Sequence, residues 1–215
     1  MVKTKHGRLY KIVYICIKAV IRIFLNLIYR AKHYNFEKIP LEGKLIVCSN
    51  HISFIDPVII GANIPRYIYF MAKRELFGYP LLGRLITFLN AFPINRTATD
   101  RSSIRTALKV LENEQVLALF PEGTRSVEGE IKEGKKGVGL LAVMSQAPIV
   151  PIAITGANKI IQKPRKRLFF PQIKMIAGEL IDVEAILKKH GRKEAVSVIV
   201  SAVMDSIKKL HQQIK

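Results

Sequence analysis

The sequence predicts an α/β fold: a layered, mostly parallel central sheet flanked by helices, behind an N-terminal amphipathic helical arm. Three features lead there. From Pro40 onwards short apolar runs alternate with segments of helical period, and strand–helix alternation builds parallel sheets. No internal repeats and no low-complexity linkers interrupt that alternation, so it belongs to one domain. Residues 8–38, by contrast, contain neither Gly nor Pro and are dominated from 9 to 29 by Ile, Leu, Val, Phe and Tyr. The expected organisation is an arm over residues 1–38 and a catalytic-type domain over residues 39–215.

In the arm, Arg8, Lys11, Lys18, Arg22, Asn26 and Tyr29 fall within roughly 80° of a helical wheel, leaving a broad apolar face. Lys18 and Arg22 interrupt the middle of the apolar run, which excludes a secretory signal. They would also sit near the centre of a simple span, at about 2.5–3.5 kcal/mol each. A helix lying in the membrane interface avoids that cost, its long cations reaching the headgroups. A helix packed on its own domain is the plainer alternative, and a span or re-entrant insertion is the second. The arm's cations, from Lys3 to Lys38, face the single acid Glu37, which suits an anionic leaflet.

Beyond it, strands are expected at 45–49, 67–72, 92–94, 116–120, 149–154 and 173–179. Helices are expected at 57–62, 81–89, 102–114 and 136–145, then at 183–189 and 193–213 on either side of the breaker Gly191. The chain is 49% hydrophobic and 24% charged, which excludes intrinsic disorder. Lys and Arg number 35 against 16 Asp and Glu, a formal charge of +19, so partners are anionic. Cys16 and Cys48 make no CxxC pair, so neither a disulfide framework nor a thiolate metal site is expected, and a reducing, cytosol-facing setting is.

Two strand ends carry chemistry. His51 follows the strand at 45–49, at the carboxyl edge where open α/β sheets place ligands, and Asp56 follows one tight turn later, ahead of Pro57. Singly, Asp56 reads as a helix cap and His51 as a loop histidine. Together they form an oriented imidazole, the carboxylate holding one ring nitrogen and the other free to take a proton. After the strand at 116–120 comes Pro121-Glu122-Gly123-Thr124-Arg125, a turn whose arginine can fork onto a phosphate. Lys73 and Arg96 hold similar post-strand positions.

Competing signatures fail. Residues 129–136 approach a phosphate-binding loop, but Lys136 replaces the hydroxyl residue and no strand precedes it. Nucleophile elbow, zinc helix and dinucleotide turn are absent. With no Trp, a base-stacking platform is not expected. The basic cluster Lys163, Arg165, Lys166, Arg167 suits RNA, a lipid headgroup or solvent equally.

From about Lys44 to Gly156 these motifs, in order, resemble the glycerophospholipid acyltransferases, in particular the bacterial 1-acyl-sn-glycerol-3-phosphate acyltransferases. His51 to Asp56 is similar to the family's HX4D block. Phe92 to Arg96 is similar to its second block, with Asn90 where many members carry Gly, and Asn tolerates left-handed backbone. Phe120 to Ser126 is similar to the third and Ile149 to Gly156 to the fourth. The resemblance implies a glycerol-3-phosphate acyltransferase-like fold and acyl transfer from a thioester to the sn-2 hydroxyl of lysophosphatidic acid, giving phosphatidic acid. It implies His51 as general base and Asp56 as its orienting partner. Lys73, Arg96 and Arg125 would hold the phosphate, with Glu122, Gly123 and Thr124 in the acceptor site. No metal and no cofactor are expected beyond acyl-CoA or acyl carrier protein as co-substrate. Expected partners are lysophosphatidic acid and anionic phospholipids, not nucleic acid, at the cytoplasmic face of a bacterial inner membrane with monotopic or peripheral attachment. Glycerol 3-phosphate or another lysophospholipid as acceptor, and a non-catalytic membrane-binding protein, remain open alternatives.

Overall fold

The computed structural model describes residues 7–95, 100–126, 130–162 and 167–215. Its helices are α1 (Arg8–Tyr29), α2 (Asp56–Asn63), α3 (Pro80–Phe88), α4 (Arg101–Glu112), α5 (Lys136–Ser145) and α6 (Val183–Ile214). Its strands are β1 (Lys32–Tyr34), β2 (Leu45–Ser49), β3 (Ile68–Lys73), β4 (Ala91–Ile94), β5 (Val116–Leu119), β6 (Ile149–Thr155), β7 (Ile161–Gln162), β8 (Arg167–Leu168) and β9 (Lys174–Ala177). Seven strands form one sheet in the order β1-β9-β6-β2-β5-β3-β4, and β7-β8 form a separate antiparallel pair. Among the described residues, β6–β9 is the one antiparallel strand pair of the large sheet, so the expected mostly parallel sheet is what the structure contains.

Leu45 to Ser49 are all buried, because helices cover both faces of a parallel sheet and the strand reads as a continuous apolar run. Alternation then divides the core. Leu45 and Val47 join Ile59, Ile60, Leu25 and Tyr29 on one side, while Ile46 and Cys48 join Val110, Leu141 and Ile199 on the other. The two expected C-terminal helices are both present within the span of α6 and are separated at Gly191, whose φ of 69° and ψ of 165° leave the helical region.

The arm departs from expectation in what its polar stripe faces. Lys18 is turned inward, not towards headgroups. Its ammonium donates to the carbonyl of Ile64, the C-cap of α2, and to that of Arg66 in the loop beyond, where the backbone oxygens lack helical partners. Burial, then the neighbouring Arg22, lowers its pKa to about 8. Arg22 lies 3.2 Å from His33 Nε2. Tyr10, Tyr14 and Tyr67 pack in a ring cluster that extends to Phe88. The opposite face stays open: Leu9 is 75% and Leu27 74% exposed, with Ile12, Ile15, Val20, Ile23 and Phe24 beside them. Residues 32–34, assigned from sequence to the arm, form the edge strand β1 paired with β9.

Candidate active site

The carboxyl edge of the parallel strands holds the two sequence blocks against each other. Where β2 leaves the sheet, Asn50 replaces the main-chain ladder with its side chain: Nδ2 donates to Ile154 O at 2.9 Å and Oδ1 accepts from Ile154 N at 2.8 Å. The main chain is thereby freed to turn at His51. His51 Nδ1 lies 2.7 Å from Asp56 Oδ2. The same oxygen accepts from the backbone N–H of Ile52 and of Ser53, each at 2.7 Å. Asp56 is fully buried, which requires such partners for a charged group. The capping role open to Asp56 from sequence is not taken: it is the first residue of α2, Ile55 occupies the cap, and the carboxylate bonds backwards into the turn.

The His51 ring stacks on Phe120, centroids 4.1 Å apart and planes at 21°. Among the described residues its Nε2 has no hydrogen-bond partner, and 11% of the side chain remains exposed. The imidazole is thus fixed through one nitrogen and open at the other.

Glu122, 2% exposed, braces the turn. Its Oε1 accepts from His51 N at 2.8 Å and its Oε2 from Lys132 N at 3.1 Å. Both oxygens are thus held by backbone, and Glu122 shapes the site from behind His51. Ser126 N donates to His51 O at 2.7 Å, closing the second block onto the first. Gly123 stands at φ 69°, where residues with a Cβ are strained. Thr124 and Arg125 are exposed at the rim, and the Arg125 guanidinium has no partner among the described residues. Lys73 ends β3, exposed and paired with Glu75 at 3.1 Å. Arg96 lies outside the described residues, as do Lys163, Arg165 and Lys166.

The loop that carries Arg96 is bracketed by a residue that sequence reading passed over. Asp100 caps α4 by accepting from Ser102 N and Ser103 N, and its Oδ2 accepts from Asn95 N at 2.9 Å. The Ser102 hydroxyl, then Asn95 and Ser103, hold its carboxyl well below the usual range. Asn50, Phe120 and Lys132 were also passed over. An Asn before His51 and an aromatic before Pro121 were visible in sequence, but only the paired strands show that they meet. Asn90 does take a left-handed φ of 63°.

His51, Asp56 and Glu122 are therefore brought together by hydrogen bonds, while Lys73, Thr124 and Arg125 stand exposed on the same edge. A family model described as Acyltransferase matches residues 30–155. The 1-acyl-sn-glycerol-3-phosphate acyltransferase of Bacillus subtilis (strain 168) is 31% identical over 196 residues, 90% of this chain and 94% of that protein. The protein of the same name from Streptococcus pneumoniae is 28% identical over 188 residues, 86% of this chain and 67% of its own. The crystal structure of the 1-acyl-sn-glycerophosphate (LPA) acyltransferase from Thermotoga maritima superposes with a TM-score of 0.76 at 25% identity, covering 94% of this chain and 80% of that one. Sequence blocks, sheet topology and relatives agree: this chain belongs to the acyltransferase family.

Proposed function

We propose that the chain transfers a fatty acyl group from acyl-CoA or acyl carrier protein to the sn-2 hydroxyl of 1-acyl-sn-glycerol 3-phosphate, forming phosphatidic acid. The observation that carries this reading is the His51–Asp56 pair at 2.7 Å, anchored by two backbone N–H groups and open at Nε2. Nε2 takes the proton of the acceptor hydroxyl as its oxygen bonds to the thioester carbonyl carbon. The tetrahedral oxyanion collapses, the C–S bond breaks, and the imidazolium returns the proton to the departing thiolate. Because the thioester is already activated, the reaction needs no covalent enzyme intermediate. Lys73, Arg96 and Arg125 bind the acceptor phosphate, Gly123 and Thr124 form the wall against which its glycerol rests, and Glu122 positions that wall from behind by holding it to the His51 backbone. The open face of α1 lies in the cytoplasmic leaflet of a bacterial inner membrane, as a monotopic attachment.

Purified chain in liposomes containing lysophosphatidic acid is given each donor, and phosphatidic acid is read by mass spectrometry. Native chain is expected to form product, and His51→Ala to lose at least about 10²-fold of the rate with an unchanged melting curve. Product at native rate from that variant would remove His51 from the mechanism.

A further inference from the structure

The fourth sequence block, residues 149–156, takes no part in the chemistry above, yet it ends beside a cavity. β6 flanks β2 on the side away from β5 and β3. Because β9 runs antiparallel to β6, its first residue, Lys174, registers with Thr155 at the same edge as His51. Gly156 (φ 85°) turns the chain there; a Cβ would lie 2.1 Å from Gln172 O, so only glycine lets the two loops close. The last turns of α6 dock onto this edge through Leu210 and Ile214, and Thr155 Oγ1 donates to Ile214 O at 3.4 Å.

Between them lies an open cavity of about 790 Å³ that reaches Ile52, the neighbour of His51. Its basic lining is the four lysines Lys159, Lys174, Lys208 and Lys215, with His211 among them, against one acid, Glu130. Lys208 and His211 share one face of α6, three residues apart, and Lys215 follows its last residue. None of the four lysines forms an ion pair among the described residues. Burial, then the Lys215 charge, holds His211 below the usual histidine range. Lysines converging on a concave surface are compact donors suited to phosphate.

We propose that this cavity binds the phosphate of the thioester donor's phosphopantetheine arm, so that donor and acceptor reach His51 from opposite flanks of the sheet edge. The inference rests on the acyl-transfer reading. The 4′-phosphate is common to acyl-CoA and acyl carrier protein, whereas the pantetheine end carries the thioester towards Ile52 and His51.

Binding to the full chain is measured by calorimetry with free CoA, 4′-phosphopantetheine and unphosphorylated pantetheine, beside the variant K174Q/K208Q/K215Q. The phosphorylated ligands are expected to bind the native chain at least tenfold more tightly than pantetheine, and the variant to lose that difference. Equal affinity for pantetheine, or native affinity in the variant, overturns the site. In turnover, the variant is expected to raise the donor KM at least tenfold while the lysophosphatidate KM keeps its native value. A rise with both donors assigns the shared 4′-phosphate, and a rise with acyl-CoA alone overturns that assignment, because only the nucleotide phosphates are then read. A rise with neither donor overturns the proposal. The variant K188Q/K189Q/R192Q removes the same charge from the far half of α6 and is expected to leave the donor KM at its native value; an equal rise there overturns the cavity assignment. Should the native chain make no product, the acyl-transfer reading fails while the calorimetric comparison still decides the site.

Discussion

His51 takes its orientation from one carboxylate oxygen that also accepts two backbone N–H groups. Asp56→Asn keeps the shape but lacks the charge that orients the imidazole and balances it once protonated. Turnover should fall by about 10²-fold or more, with the lysophosphatidate KM little changed and folding retained by circular dichroism. A native rate would show that the carboxylate only shapes the turn. The His–Asp spacing was legible in sequence because both residues belong to one short loop. The brace was not. Glu122 meets His51 across 71 residues, and nothing in either segment states that β2 and β5 are neighbours until the sheet is assembled. Asp56 also shows a limit of local grammar: an acid before Pro57 reads as a cap, yet the nearest unpaired donors lie behind it.

Among the elements, α1 shows most clearly what periodicity can and cannot tell. Its amphipathic pattern was plain, but the buried side is the tyrosine face with Lys18, because the end of α2 offers carbonyls that a cation satisfies better than water at a buried edge. Removal of residues 1–38 would strip Leu25, Tyr29 and Phe36 from the core, so membrane contact is tested by exchanging the outer face instead. Leu9, Val20 and Leu27 changed together to Gln should weaken sedimentation with anionic vesicles more than tenfold, since each buried side chain contributes roughly 1.5–3 kcal/mol. The melting curve should stay within about 0.5 kcal/mol of native, as expected for exposed positions. Retained vesicle binding would place the contact elsewhere. Lys18 gives this helix a pH signature. Its pKa falls from the ordinary 10.5 to about 8 on docking, so between those values the undocked form binds more protons. The docked form must then gain stability as pH rises from about 8 towards 10.5. Hydrogen exchange in α1 should slow, relative to the intrinsic rate, across that window, and Lys18→Met should flatten the trend.

For the molecule as a whole, the charge of +19 and the open apolar face of α1 make different demands on a surface. Attraction to anionic lipid acts through water and is screened, with a Debye length near 10 Å at 0.1 M salt and about 3 Å at 1 M, whereas apolar insertion is not. Binding to anionic vesicles should therefore weaken over that salt range towards the level seen with neutral vesicles. Salt-independent binding would leave the charge without a role at the membrane. The fold class was legible from alternation alone because each βα unit is written locally. The edge formed by β1 and β9 was not, since β1 is three mostly polar residues whose partner lies at the other end of the chain. That pairing has a consequence for the order of events during synthesis. Asn35 and its partner Ala177 are 142 residues apart, so α1 and the strand β1 that follows it emerge from the ribosome long before β9, which pairs with β1, exists. Closing so distant a contact is slow. The nascent chain should meet the bilayer first and complete its sheet second, with the lipid surface sheltering α1 while translation finishes.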